Sequence, residues 1–179
     1  MSDKEILEAM KSGEILIEPF SAEEMLGPCS VDLHLLDEFL VFEVGRVIDP
    51  KEDNTINRVT QLIKTSGKPF IIAPGQFILG STVERIALSK SIAGTLEGRS
   101  SIARLGIIVH AAGLVNAGTG IVKPSRLTLE VSCHNNSPVK LYPNMKIIQI
   151  IFHRLGTKAT LGYDERKTSR FIGLDKPTV

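Results

Sequence analysis

Gly98-Arg99-Ser100-Ser101-Ile102-Ala103-Arg104-Leu105-Gly106 sets two guanidiniums, two hydroxyls and two glycines between segments that read as strands. Glycines let backbone N–H groups come close to an anion, hydroxyls add short bonds, and Arg99 and Arg104 offer forked donors suited to phosphate or a polar base edge. The same letters also fit a polar connection or the first turn of a surface helix. The sequence on either side separates these readings.

Around this run, short β-rich stretches alternate with turn residues. Val31–Leu36, Phe39–Val44, Phe70–Ala73, Phe77–Ser81, Ile92–Leu96, Ile107–Ala111, Leu127–Cys133, Val139–Leu141 and Ile147–His153 are expected strands, with Val59–Ile63 as one more inside the polar excursion 49–68. Helix is expected mainly at the start, over 1–12, where Ser2 and Glu5 form a capping-box pattern, Ile6, Leu7 and Met10 sit at helical spacing, and Gly13 stops the run. Ser21 with Glu24 repeats the signal before Gly27-Pro28. The pattern is that of a mainly β domain: a sandwich, a jelly roll or a distorted barrel.

The chain has 179 residues, 42% of them hydrophobic, which suits one core and one domain spanning 1–179. A formal net charge of +1 gives no global field to gather a nucleic-acid polymer or a membrane surface, so an anion site has to be built locally. No apolar run nears the ~18 residues of a membrane span. The opening Met1-Ser2-Asp3-Lys4-Glu5 lacks the plan of a secretory leader. Cys29 and Cys133 have no paired spacing and read as ordinary buried or half-buried thiols, in keeping with a reducing cytoplasm.

Four motifs in order carry a family resemblance. Pro28-Cys29-Ser30-Val31-Asp32-Leu33 is the first. Phe77-Ile78-Leu79-Gly80 with Thr82 and Glu84 is the second, and Gly94-Thr95-Leu96-Glu97 leading into the Gly98–Gly106 run is the third. Pro143-Asn144-Met145-Lys146-Ile147-Ile148-Gln149 is the last. Over roughly residues 13–171 the chain resembles the dCTP deaminase family. The resemblance implies a distorted β-barrel or jelly-roll-like fold of the dUTPase type with a short N-terminal helix, assembled as a homotrimer whose active sites lie between subunits. The implied reaction is zinc-independent hydrolysis of dCTP to dUTP and ammonia, on the route to dUMP and thymidine nucleotides. The alternatives are dUTP diphosphatase activity, a bifunctional enzyme that ends at dUMP, and a nucleotide-binding homologue with weakened catalysis.

Glu130 is the catalytic candidate. In Arg126-Leu127-Thr128-Leu129-Glu130-Val131-Ser132, alternation puts Leu127, Leu129 and Val131 on one strand face and Thr128, Glu130 and Ser132 on the other. By itself this describes a solvated face; the resemblance makes Glu130 the carboxylate that moves protons from water to the cytosine ring and the departing amine. It further implies that Ser100 and Arg104 hold the attacking water and the tetrahedral centre. Arg99 and Ser101 would contact phosphates, and Thr128 and Gln149 the nucleotide. Tyr163 and Arg170 would belong to a lid within the tail 160–179. Zinc is not expected, since Pro28-Cys29 is followed by no second cysteine at ligand spacing, and His34, His110, His134 and His153 form no ligand set. Magnesium is expected to be held mainly by the triphosphate.

The largest departure follows His110. Asn116 stands where the family has an aspartate, the aromatic after Gly118 is missing, and extra residues between Thr119 and Arg126 lengthen the hairpin before Glu130. Leu174 stands where a lid glutamine is usual. An amide still bonds a sugar hydroxyl but accepts no proton, so Asn116 favours deamination over diphosphate release.

Overall fold

In the computed structural model, which describes residues 1–51, 58–109 and 112–179, the chain is mainly β. Helix α1 (Asp3–Lys11) is capped as its sequence predicts: Glu5 N–H donates to Ser2 Oγ at 3.4 Å, and Ser2 N–H donates back to Glu5 Oε2 at 2.7 Å. It buries Ile6 and Ala9 and leads through Gly13 into β1 (Ile15–Glu18), whose alternation buries Ile15 and Ile17. The short α2 (Ala22–Met25) forms where Ser21 announces it, without a side-chain cap from that serine.

There follow β2 (Val31–His34), β3 (Glu38–Phe42), β4 (Thr60–Lys64), β5 (Phe70–Ile72), β6 (Phe77–Leu88), β7 (Ile92–Gly98), α3 (Ser100–Ala103), β8 (Ile107–Ile108), β9 (Leu114–Val115), β10 (Ser125–Cys133), β11 (Val139–Leu141) and β12 (Lys146–Arg154). A single 3₁₀ turn, Tyr163–Glu165, starts the C-terminal segment. Among the described residues, one sheet runs β4-β3-β6-β10-β8 with β1 also on β6, a second runs β2-β12-β7-β9, and β5 pairs with β11. The apolar faces of the two larger sheets meet in one core, in which Phe39 stacks on Phe70 with ring centroids 4.6 Å apart. No described helix is long and apolar enough to cross a membrane.

The structure departs from the expected elements at several places, strands β1 and β9 among them. Strand β6 does not end at Ser81 but runs on to Leu88, because the polar Thr82 and Glu84 are buried with partners instead of marking a turn. Thr82 Oγ1 donates to Glu84 O at 2.8 Å, and Glu84 receives His34 N–H at 3.0 Å with His34 Nδ1 2.6 Å away. The strand expected over 107–111 is ladder-bonded only at Ile107–Ile108; His110 and Ala111 lie outside the described residues, as do 52–57 of the polar excursion. Cys133 is buried, but Cys29 is exposed rather than half-buried; both are free thiols.

Strand β10 pairs with β6 through an irregularity between Arg126 and Thr128. There Leu127 N–H donates to Thr82 Oγ1 at 3.0 Å, and the Arg126 guanidinium donates to the carbonyls of Thr82, at 2.9 Å, and Val83. Burial and the neighbouring Arg85 push the Arg126 guanidinium below its ordinary pKa range. The bulge turns the strand so that Leu129, Val131 and Cys133 enter the core while Thr128 and Glu130 face away from it. Arg126→Met removes this brace at nearly constant volume. It should lower the unfolding free energy by about 1.5–3 kcal/mol, the range for hydrogen bonds made by a charged group, measured by urea denaturation.

Candidate functional site

A cavity of about 440 Å³ opens beside β10, where Arg126, Thr128 and Glu130 line one wall. Thr128 and Glu130 are two apart beyond the strand irregularity and share a face, while Arg126, before it, lies on the wall with its guanidinium on the carbonyls of Thr82 and Val83. Asn116, just past β9, supplies the opposite polar group, and Leu79, Leu96 and Leu114 give an apolar floor. A site that is mostly apolar with a few convergent polar groups suits a flat, partly polar ring.

Tyr163 closes one side, and its position is set by its neighbours. Tyr163 N–H donates to Ala117 O at 2.9 Å, Asp164 N–H to Gly118 O at 3.2 Å, and Val122 N–H to Asp164 Oδ2 at 3.1 Å. Gly118 has φ of +79°, and a Cβ there would run into the backbone of Gly162, so a side chain at 118 would push the two segments apart. Ser169 Oγ donates to Tyr163 O at 2.6 Å, and Lys90 holds Glu165 at 3.1 Å. The Gly162 N–H and Lys90 hold the Glu165 carboxyl below the usual carboxylate range. Phe171 and the chain end line the same cavity, while the neighbouring Arg170 is exposed and is not part of its wall.

The other expected site residues gather elsewhere in the chain. Arg99 caps the start of α3 and is ion-paired with Asp32 Oδ1, while Lys146 Nζ lies 3.5 Å from Asp32 Oδ2. Gln149, opposite Asp32 in the β2–β12 ladder, accepts from Ser30 Oγ at 3.0 Å and donates to Gly98 O at 3.4 Å. The Arg99 Nε is buried with no hydrogen-bond partner, a donor left over in a cluster of two cations around one carboxylate. Ser100, Ser101 and Arg104 are exposed on α3 and its end, and none of them lines the cavity that holds Glu130. One chain thus brings Glu130, Thr128, Asn116 and Tyr163 together at one place and Arg99 and Gln149 at another.

Arg126, Asp32 and Asp164 were not singled out as site residues from sequence. Arg126 stands an even count before Thr128 and Glu130, but the irregularity between 126 and 128 that positions it has no mark in the sequence. Asp32 lay inside a quoted motif, but its partner Arg99 is far along the chain. Asp164 gives no local signal at all. Among the described residues, no three His, Cys, Asp or Glu side chains are grouped as a metal-ligand set.

Known proteins resemble this chain along most of its length. The family model described as dCTP deaminase-like matches residues 1–155. A protein of Dictyoglomus thermophilum named dCTP deaminase, dUMP-forming, is 39% identical over 99% of this chain and 92% of its own length. One from Thermomicrobium roseum named dCTP deaminase is 40% identical over 99% of this chain and 90% of its own length. Among solved structures, the 2'-deoxycytidine 5'-triphosphate deaminase of Agrobacterium tumefaciens superposes with a TM-score of 0.66 at 21% identity over 87% of this chain. The chain spans about half of that protein's length, 48%. That likeness supports the fold, and the match over residues 1–155 decides the family. The chain belongs to the dCTP deaminase-like family.

Proposed function

We propose that this chain hydrolyses dCTP twice, removing the ring amine as ammonia and then diphosphate, so that the product is dUMP. The observation that carries the reading is the cavity whose wall, among the described residues, has Glu130 as its one Asp or Glu side chain, together with Thr128, Asn116 and Tyr163. The naming of the D. thermophilum relative as dUMP-forming supports the second step. In the first step, water adds to C4 of cytosine, N3 takes a proton, and the C4–N4 bond breaks with a further proton passing to nitrogen. One carboxylate that accepts the water's proton and returns protons to N3 and N4 closes this cycle, and Glu130 is proposed for it. In the second step, water attacks the α-phosphorus and diphosphate leaves.

Ser100 and Arg104 are proposed to hold the first water and the charge that develops at C4, and Arg99, Ser101, Gln149 and Arg170 to grip sugar and phosphates. These groups come from a second copy of the chain in a homotrimer. The exposure of Ser100, Ser101 and Arg104, and their separation from the Glu130 cavity, support a site completed between subunits. Magnesium, held by phosphate oxygens and water, screens the triphosphate, and the chain's own share of that screening falls to Arg99 and Lys146 around Asp32. The two free thiols, Cys29 and Cys133, support a reducing cytoplasm as the place of the reaction.

A second reading ends at dUTP. Asn116 favours it, because an amide at the cavity wall takes no proton from a water aimed at phosphorus.

Purified protein with dCTP and magnesium, scored separately for ammonia, diphosphate and nucleotide product, decides between them. Equal ammonia and diphosphate with dUMP is expected. Ammonia with accumulating dUTP rejects the second step, and no ammonia rejects the first. Glu130→Gln should bind dCTP as before and lose about 10²–10⁴-fold in ammonia release, the span of general acid–base catalysis; full activity would remove Glu130 from its role. Asn116→Asp should speed diphosphate release from dUTP at least about tenfold, and an unchanged rate would show that the group at 116 does not face the attacking water.

A further inference from the structure

We propose that Asn135 is a positioning residue: it fixes the Arg104 end of α3 to the strand that carries Glu130, and so sets the groups that one copy of the chain offers to the site of its neighbour. The inference rests on the proposed site shared between copies.

Segment α3 is four residues long, too short to hold itself, and it exposes Ser100, Ser101 and Arg104. It is held by attachment at three points. At its start, Arg99 pairs with Asp32. In its middle, Ile102 is buried in the core. Its far end, Leu105-Gly106, is held by the residues that follow β10. Asn135 Nδ2 donates to Leu105 O at 3.0 Å, and His134 N–H donates to Gly106 O at 2.7 Å. Gly106 has φ of +73°, and a Cβ there would stand 2.7 Å from the Asn135 backbone nitrogen, so glycine at 106 serves this contact.

Asn135 is itself fixed. Its Oδ1 accepts Ser137 N–H at 2.9 Å, which orients the amide so that Nδ2 faces Leu105. Beyond the turn, Ile107 and Ile108 pair with Cys133 and Ser132, on the strand that Glu130 shares. One asparagine thus ties the cation-bearing turn to the carboxylate-bearing strand of the same chain. In a closed ring of copies these two groups serve different sites, each site taking Glu130 from one copy and Arg104 from the next. Misplacing Arg104 by about 1 Å costs on the order of 10²-fold in rate, because it acts on charge that develops in the transition state.

Asn135→Asp keeps the volume and the acceptor for Ser137 while setting an oxygen against Leu105 O. Amide hydrogen exchange at Leu105 and Gly106 should rise about tenfold, the scale of one lost hydrogen bond, with the melting midpoint within about 5 °C of the unsubstituted protein. Ammonia release from dCTP should fall about 10–10²-fold in kcat at unchanged KM. Co-expressed with Glu130→Gln at equal levels, the variant should recover about a quarter of the unsubstituted rate, since about three in four random trimers are mixed and each of these holds one site with both groups intact. Unchanged exchange rejects the attachment, and full kcat or a raised KM rejects its part in the chemistry. Mixed trimers without recovery put the turn in the site of its own chain and overturn the proposal. No ammonia from the unsubstituted protein, or a fully active Glu130→Gln, overturns the proposed function instead, while the exchange comparison still tests the attachment.

Discussion

A carboxylate with almost no access to water joins the two large sheets. Glu84, 1% exposed on β6, takes the backbone N–H and faces the ring nitrogen of His34 on β2. Beside it, Leu36 N–H donates to Ser81 O, and Leu35 bridges Thr82. A polar side chain in such a place needs bonded partners, because no solvent stands in for a missing one. The seam therefore has one arrangement, and β6 carries it to β1, β3 and β10, the strands it pairs.

From this seam the cavity follows. Thr82 is shared between the sheet junction and the bulge in β10, since its hydroxyl receives Leu127 N–H while its carbonyl receives Arg126. The bulge turns one face of β10 toward the cavity and leaves the other in the core. A side chain whose backbone is tied this firmly on β10 keeps a fixed origin at the cavity wall. The tail beside it is held by a few main-chain bonds and half-exposed charges.

What could be read from the residues was whatever is local. The capping pair Ser2 and Glu5, the alternation through Glu130, and the strand at Thr60–Lys64 depend on near neighbours, and they appear as expected. Strand β1 was missed because four residues after a helix stop leave little room for a period to show. The second half of β6 was missed because Thr82 and Glu84 look like punctuation until His34 and Leu127 are seen against them. The Arg99–Asp32 pair and the tail on β10 also join residues distant in sequence, and no local pattern marks such a meeting. Motif likeness named candidate residues, such as Ser100 and Arg104, that spacing alone does not mark.

The order of strands sets a schedule for assembly as well. Strand β2 waits for β12, with Asp32 opposite Gln149, so the four-stranded sheet cannot close until nearly the whole polypeptide has been made. At ribosomal speed, the delay between the two strands is on the order of ten seconds. During that interval Val31 and Leu33, both fully buried at the end, have no partner strand to cover them. The apolar face of β2 is thus made long before the strand that completes its sheet.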